Sequence, residues 1–236
     1  MSKRKVVVLS GSGISAESGI PTFRASDGLW AGYNIEEVAT PEGWKKNREL
    51  VLEFYNERRK NALDAKPNSA HKTLARLESY FELTIITQNV DDLHERAGSS
   101  NVIHLHGELF KSRSSLDENL VYDIKGSELN IGDKCEKGSQ LRPHIVWFGE
   151  PVPMMDIAAE VVMEADILIV VGTSLLVYPA AGLVDYVRGN VPIYVIDPSI
   201  PENIGYRPHV RPVQENATTG MKKVADELIE NYVLKM

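Results

Sequence analysis

Four short runs of apolar, mostly β-branched residues recur along the chain, each ending in a polar or turn residue: KVVVLS (5–10), LTIITQ (83–88), ILIVVG (167–172) and PIYVID (192–197). Near-continuous runs of this kind fit strands buried on both faces of a parallel sheet. Helical patterns lie between them. PEGWKKNRELVLEFYNERRKNAL (41–63) predicts one helix with Pro41 in its first turn. NSAHKTLARLESYF (68–81) predicts a second, capped by Asn68 or Ser69. DIAAEVVMEA precedes the third strand, and TGMKKVADELIENYVL lies near the C-terminus. Strands alternating with helices predict an α/β fold, a doubly wound, Rossmann-like parallel sheet.

Two regions break the alternation. Residues 31–65 form a helical insertion, and residues 111–141 are polar and lysine-rich, with glycines at 126, 132 and 138. We expect both to form a small inserted module against the ligand-binding edge of a core made of residues 1–30, 66–110 and 142–236. A formal charge of −7 with no long basic run argues against a nucleic-acid partner. A single cysteine, Cys135, allows no internal disulfide and fits a reducing compartment. The apolar run near the N-terminus, Val6 to Leu9, is too short for a signal peptide or a membrane span. The expectation is a cytoplasmic protein without a membrane partner.

Candidate chemistry starts in the first loop. Gly11, Gly13 and Ala16 form G-x-G-x-x-A directly after a strand. Such glycines let a backbone approach a pyrophosphate, and the next helix offers its N-terminal N–H groups. They are as often only a tight turn. The usual partner, an acid at the end of a second strand, is missing, because the chain continues as GIPTFRASDGLW. Thr22, Phe23 and Arg24 would then form a lid beside a dinucleotide. Asp197, ending the strand PIYVID, is the candidate for the adenosine ribose hydroxyls, and its charge would favour NAD over NADP. A turn aspartate before Pro198 is the plainer reading.

TQNVDDLHERAG (87–98) puts Gln88, Asn89 and Asp91 at a strand's C-terminal end, where open α/β sheets hold ligands. VIHLHGEL follows, with His104 and His106 on one face if the run is a strand, and Gly107 leaving space beside the second ring. Histidine is the usual neutral-pH base, although a lone one is more often structural. RPHIVWFGEPVP (142–153) reads as an extended edge able to pair with a peptide main chain, or as a buried strand. GTSLLVYPAAG (172–182) repeats the strand–glycine–helix device and brings Gly172, Thr173 and Ser174 toward the nucleotide.

Together, GSGISAESGIPTFR, TQNVDDLH, HLHG, RPHIVWFGE and GTSLLVYPA resemble the sirtuin family of NAD-dependent protein lysine deacylases over nearly the whole chain. The resemblance implies that the amide oxygen of an acyl-lysine attacks the ribose carbon of NAD as nicotinamide leaves. Free lysine and O-acyl-ADP-ribose follow. It implies His106 as the general base acting on the ribose hydroxyls and Asn89 as its catalytic companion. Gly11, Ser12, Gly13, Ser15, Ala16, Phe23, Arg24, Gln88, Asp91, Gly172, Thr173, Ser174, Asp197 and Ala217 would line the NAD pocket. Val146, Trp147, Phe148 and Gly149 would meet the substrate peptide. Two positions depart from the family: Ser12 replaces the usual alanine, and Asp197 stands where asparagine is common.

A third departure concerns zinc. The family usually carries two C-x-x-C pairs between HG and RPHIVWFGE, but here only Cys135 remains, with Lys134 and Lys137 at the positions of the second pair. Four ligands cannot be assembled, and no zinc is expected. On the helical insertion, Arg58 falls on the apolar stripe of Val51, Phe54, Tyr55 and Ala62. By itself this reads as an ion-paired or snorkelling arginine. Tyr55 and Arg58 at this place resemble the sirtuin subgroup that removes succinyl, malonyl or glutaryl groups, with the arginine forking onto the acyl carboxylate. A general deacetylase, an NAD sensor and an NAD glycohydrolase are the rival readings.

Overall fold

The computed structural model describes residues 3–22, 29–30, 32–202, 204 and 209–235. The apolar runs do become a parallel sheet. Its strand order is β11 (Val210–Val213), β10 (Ile193–Ile196), β9 (Ile167–Val171), β1 (Lys5–Ser10), β4 (Glu82–Thr87) and β5 (Val102–His104). β1 pairs in parallel with β4 on one side and β9 on the other. The chain therefore winds outward both ways from β1, and the loops leaving β1, β4 and β9 meet at the switch point.

Alternate residues of each strand feed two cores. Val6, Val8, Ile85 and Ile169 pack with α5 (Ser69–Leu77) and α8 (Ala217–Ile229). Val7, Leu9, Ile86, Leu168 and Val170 pack on the opposite face with α7 (Met155–Met163) and a 3-10 segment, Ala180–Tyr186. Both faces are covered, so the strands lack the apolar–polar alternation of a half-exposed sheet. Each fully buried aliphatic side chain contributes roughly 1.5–3 kcal/mol. Gly220 lets α8 lie close to the sheet, since a Cβ there would stand 2.3 Å from Ile196 Cγ2.

The predicted helix 41–63 is two helices, α3 (Pro41–Lys46) and α4 (Arg48–Asp64). Asn47 breaks the run with φ −151° and ψ 86°, and its side chain caps α4 by accepting the Leu50 N–H at 3.1 Å. Asparagine favours such a local bond over a helix interior. Asn68, not Ser69, caps α5, in a reciprocal box with His71. After Gly172 no regular helix follows; Leu175 takes φ +53° and the chain reaches the 3-10 segment instead.

A third apolar cluster joins α4 and its neighbours to a three-stranded antiparallel sheet, ordered β7 (Val121–Asp123), β6 (Gly107–Ser114) and β8 (Leu141–Ile145). Val51, Phe54, Tyr55, Leu109, Ile145 and Trp147 meet in it. β6 and β8 thus include residues at the sequence-derived edges of the core, because their side chains face α4. Arg59 is fully buried at this junction. Its guanidinium donates to the Ser127 carbonyl at 2.8 Å, the Leu109 carbonyl at 3.2 Å and the Asn56 side chain. Asn56 in turn bonds both the N–H and the carbonyl of Leu129. Among the described residues, no helix is long and apolar enough to cross a membrane.

Candidate active site

One cleft of about 510 Å³ lies over the C-terminal ends of β1, β4 and β9 and extends to α4. It is lined by every residue expected for NAD, base or substrate, apart from Phe23 and Arg24, which lie outside the described residues.

The glycines of the cleft also let its loops pack against one another. A Cβ on Gly11 would stand 2.7 Å from the Gly172 carbonyl oxygen, and one on Gly13 2.7 Å from Gly172 Cα. Gly172 itself has φ +63°, and a Cβ there would stand 2.3 Å from the Ile14 nitrogen. The close approach is between the first and third loops. The helix after the first glycine loop is a single turn, Gly13–Ala16. The Gly11, Gly13, Ile14 and Ser15 N–H groups already donate to carbonyls at 2.8–3.1 Å. These four donors are engaged within the fold.

Small polar side chains stitch the three loops together. Gln88 Nε2 donates to Thr173 Oγ1 at 3.0 Å. Asn89 Nδ2 lies 3.2 Å from both the Gly11 carbonyl and Ser15 Oγ. Ser15 Oγ donates to Asp91 at 3.1 Å, and the other Asp91 oxygen accepts the Leu93 N–H at 3.2 Å. Burial raises the Asp91 carboxyl above its ordinary value, and these two bonds moderate the rise. Asp197 lines the cleft beyond β10 but also accepts the Ser199 N–H at 2.9 Å, so the turn role and the pocket position coexist.

His104 and His106 do not share a regular strand, because β5 ends at His104. Each ring reaches the turn after β4: His106 Nδ1 lies 3.1 Å from the Gln88 carbonyl and His104 Nδ1 3.0 Å from the Asn89 carbonyl. A carbonyl only accepts, so His106 carries its proton on Nδ1 and leaves Nε2 as the basic nitrogen. Burial lowers His106 below the ordinary histidine value, which the Gln88 bond partly offsets. The ring is a neutral base at pH 7. Gly107 serves packing rather than space beside the ring: with φ +83°, a Cβ there would stand 2.0 Å from the His144 carbonyl oxygen.

The expected peptide edge also changes character. The Val146 N–H donates to the His106 carbonyl at 2.9 Å, the Trp147 N–H to Glu150 at 2.9 Å and the Phe148 N–H to the Ala39 carbonyl at 3.0 Å. These donors turn inward, so they are not a free edge for a peptide main chain. Glu150 also receives Arg142 at 2.6 Å and Arg113 at 3.1 Å, and the Arg142 guanidinium lies 3.3 Å from the Trp147 ring centroid.

At the far end, Trp147 Nε1 donates to the fully buried Tyr55 hydroxyl at 3.0 Å. Burial pushes that hydroxyl up to about 12. Arg58 lies beside it with its guanidinium 3.8 Å from the Trp30 ring centroid. Burial lowers Arg58 to about 10, and Asp91 acts on it through space. No ion pair joins Arg58 to a carboxylate among the described residues, and its Nε is buried without a hydrogen-bond partner. Sequence reasoning missed Trp30; its nearest signal was an aromatic residue standing just before the helical insertion.

The chain matches the Sir2 family model over residues 11–179. It is 58% identical to the NAD-dependent protein deacylase of Aggregatibacter actinomycetemcomitans, over 86% of this chain and 96% of that protein. It is 53% identical to the NAD-dependent protein deacylase of Helicobacter pylori, over 96% of this chain and 98% of that one. A crystal structure of a Sir2 homologue in complex with NAD is 40% identical and covers 97% of this chain and 90% of its own, with a TM-score of 0.86.

Proposed function

The chain belongs to the Sir2 family, and from that premise we propose an NAD-dependent protein-lysine deacylase that prefers acyl groups ending in a carboxylate, such as succinyl and malonyl. NAD, when bound, would supply the leaving nicotinamide and the ribose whose hydroxyl ends up carrying the acyl group. The chain's own residues do the rest. His106 offers Nε2 to take a proton from a ribose hydroxyl, a contribution of about 10²–10⁴-fold. Asn89 and Asp91, fixed by Ser15, border the sugar. Gln88 and Thr173 close the nucleotide end. Phe148 and Gly149 line the mouth where an acyl-lysine enters.

The acidic preference rests on Arg58. A guanidinium inside a cleft, with no carboxylate ion-paired to it among the described residues, is matched by an anion on the substrate. Tyr55 supports this reading. Indole N–H is donor only, so the Trp147 bond occupies the Tyr55 oxygen as acceptor and leaves the phenol proton to donate into the pocket. A charge-assisted contact of about 1.5–3 kcal/mol corresponds to roughly ten- to hundredfold preference over acetyl. Mass spectrometry of products from NAD and peptides carrying acetyl-, malonyl-, succinyl- or glutaryl-lysine tests this directly. Equal turnover of acetyl and succinyl peptides would remove the proposal.

We also read the small sheet with α4 as a module that does without zinc. Cys135 is the chain's only thiol. Lys137, at one of the second pair's expected positions, donates to Asp117 at 2.7 Å, while Tyr122 donates to Glu136 at 2.6 Å. Two lysines beside one cysteine make a donor set unsuited to Zn²⁺. Elemental analysis that found stoichiometric zinc would contradict this reading.

A further inference from the structure

His104 has no part in the chemistry assigned to His106, yet both of its ring nitrogens are bonded. Nδ1 lies 3.0 Å from the Asn89 carbonyl oxygen and Nε2 lies 2.8 Å from Glu95 Oε1. A carbonyl has no proton to give, and an ionised carboxylate has none either. A neutral imidazole holds one proton. If that proton were on Nδ1, two lone pairs would face each other at the Glu95 contact; if on Nε2, they would do so at the Asn89 carbonyl. Both distances are satisfied together by a ring protonated on both nitrogens.

We propose that His104 is a positioning residue that works as an imidazolium, clamping the Asn89 main chain against Glu95 so that the turn carrying Asn89 and Asp91 keeps its shape. The same residue is also held through its N–H, which donates to Thr87 Oγ1 at 3.0 Å. The neighbouring carbonyl, Gln88, is held by His106. Two histidines of one segment therefore pin consecutive carbonyls, one as a neutral ring and one as a cation.

The surroundings agree. Burial pushes His104 down, but the bond and charge of Glu95 and the Asn89 carbonyl outweigh it, and the ring ends above the ordinary histidine value. Burial pushes Glu95 up, and His104 more than reverses this. Asp91 on the turn and Glu108 on β6 also act on His104 as acids. His94 on the short helix Leu93–Arg96 feels the His104 charge and is itself held well below the ordinary value, first by burial. Lys111 on β6 bonds Glu108 at 2.9 Å and draws on Glu95.

The proton is lost as pH rises, and with it one of the two contacts. The test has a spectroscopic arm and a kinetic arm. ¹⁵N NMR of the imidazoles in the free protein at neutral pH is expected to show both His104 nitrogens protonated, beside a neutral His106. This readout needs no acyl substrate, so it stands apart from the acyl preference. Glu95→Gln replaces an acceptor with a side chain that can donate to a neutral ring. The variant ring is expected to keep both contacts without a second proton, so the alkaline limb that His104 imposes on kcat/KM is expected to disappear, leaving the acid limb in place. A neutral His104 in the spectrum would overturn the proposal, as would an unmoved alkaline limb in a folded Glu95→Gln protein.

Discussion

The two ends of the cleft are built from different materials. The nucleotide end consists of three loops whose main chains touch: Gly11 and Gly13 abut Gly172, and Ser15, Asn89, Asp91, Gln88 and Thr173 bond one another between them. The end proposed for the acyl group is a wall of large side chains, Trp30, Tyr55 from α4 and Trp147 from the segment after β8, with Arg58 set among them. A backbone-made end has little freedom to vary, because each loop's path depends on the others. A side-chain-made end can change its preference without disturbing the sheet. The division suits an enzyme that keeps one cofactor and chooses among acyl groups.

The sharpest test of that division is His106→Tyr. It should lower deacylation of every acyl peptide by at least about 10²–10⁴-fold, with NAD binding still measurable by calorimetry. Full activity in this variant would break the assignment at the nucleotide end. Arg58→Met should act at one end only. We expect kcat/KM for succinyl-lysine to fall roughly ten- to hundredfold while acetyl-lysine turnover changes little. Equal losses on the two peptides would show that the ends are not separable.

Tyr55→Phe should cost less on the same substrate, because Arg58 remains. It also leaves the buried Trp147 N–H without an acceptor, so thermal denaturation should show about 1–3 kcal/mol of lost stability. The smallest effect is on pH. The folded pKa of His106 is lowered, so the neutral base persists as pH falls below the ordinary histidine value. The acid limb of kcat/KM should therefore lie below about 6.5. A limb above that value would mean that the ring is not shielded as the structure has it.

Much of this was legible in the residues. The four apolar runs located β1, β4, β9 and β10 to within a residue or so, because strands buried on both faces leave no polar gaps. The motifs located the lining of the cleft for the same reason: their residues sit at strand ends, where the sheet gathers them. What the pattern could not show was which partner each group had taken. Gly11 and Gly13 look like phosphate glycines, but the loop they accommodate lies some 160 residues further along the chain. The N–H groups of residues 146–148 look like a free edge until His106, Glu150 and Ala39 arrive to accept them. His104 looks like a second candidate base until Glu95 and Asn89 are seen to occupy both its nitrogens. The break at Asn47 was readable in principle, since asparagine caps helices better than it continues them.

Arg59 stands next to Arg58 on α4 and points the other way, into the carbonyls of Ser127 and Leu109. One residue of this helix lines the cleft and its neighbour grips the small sheet. Transplanting the helix alone into a relative would carry Arg58 without that mooring, so the proposed acyl choice would have to be exchanged together with residues 127–129, whose contacts hold the helix in place.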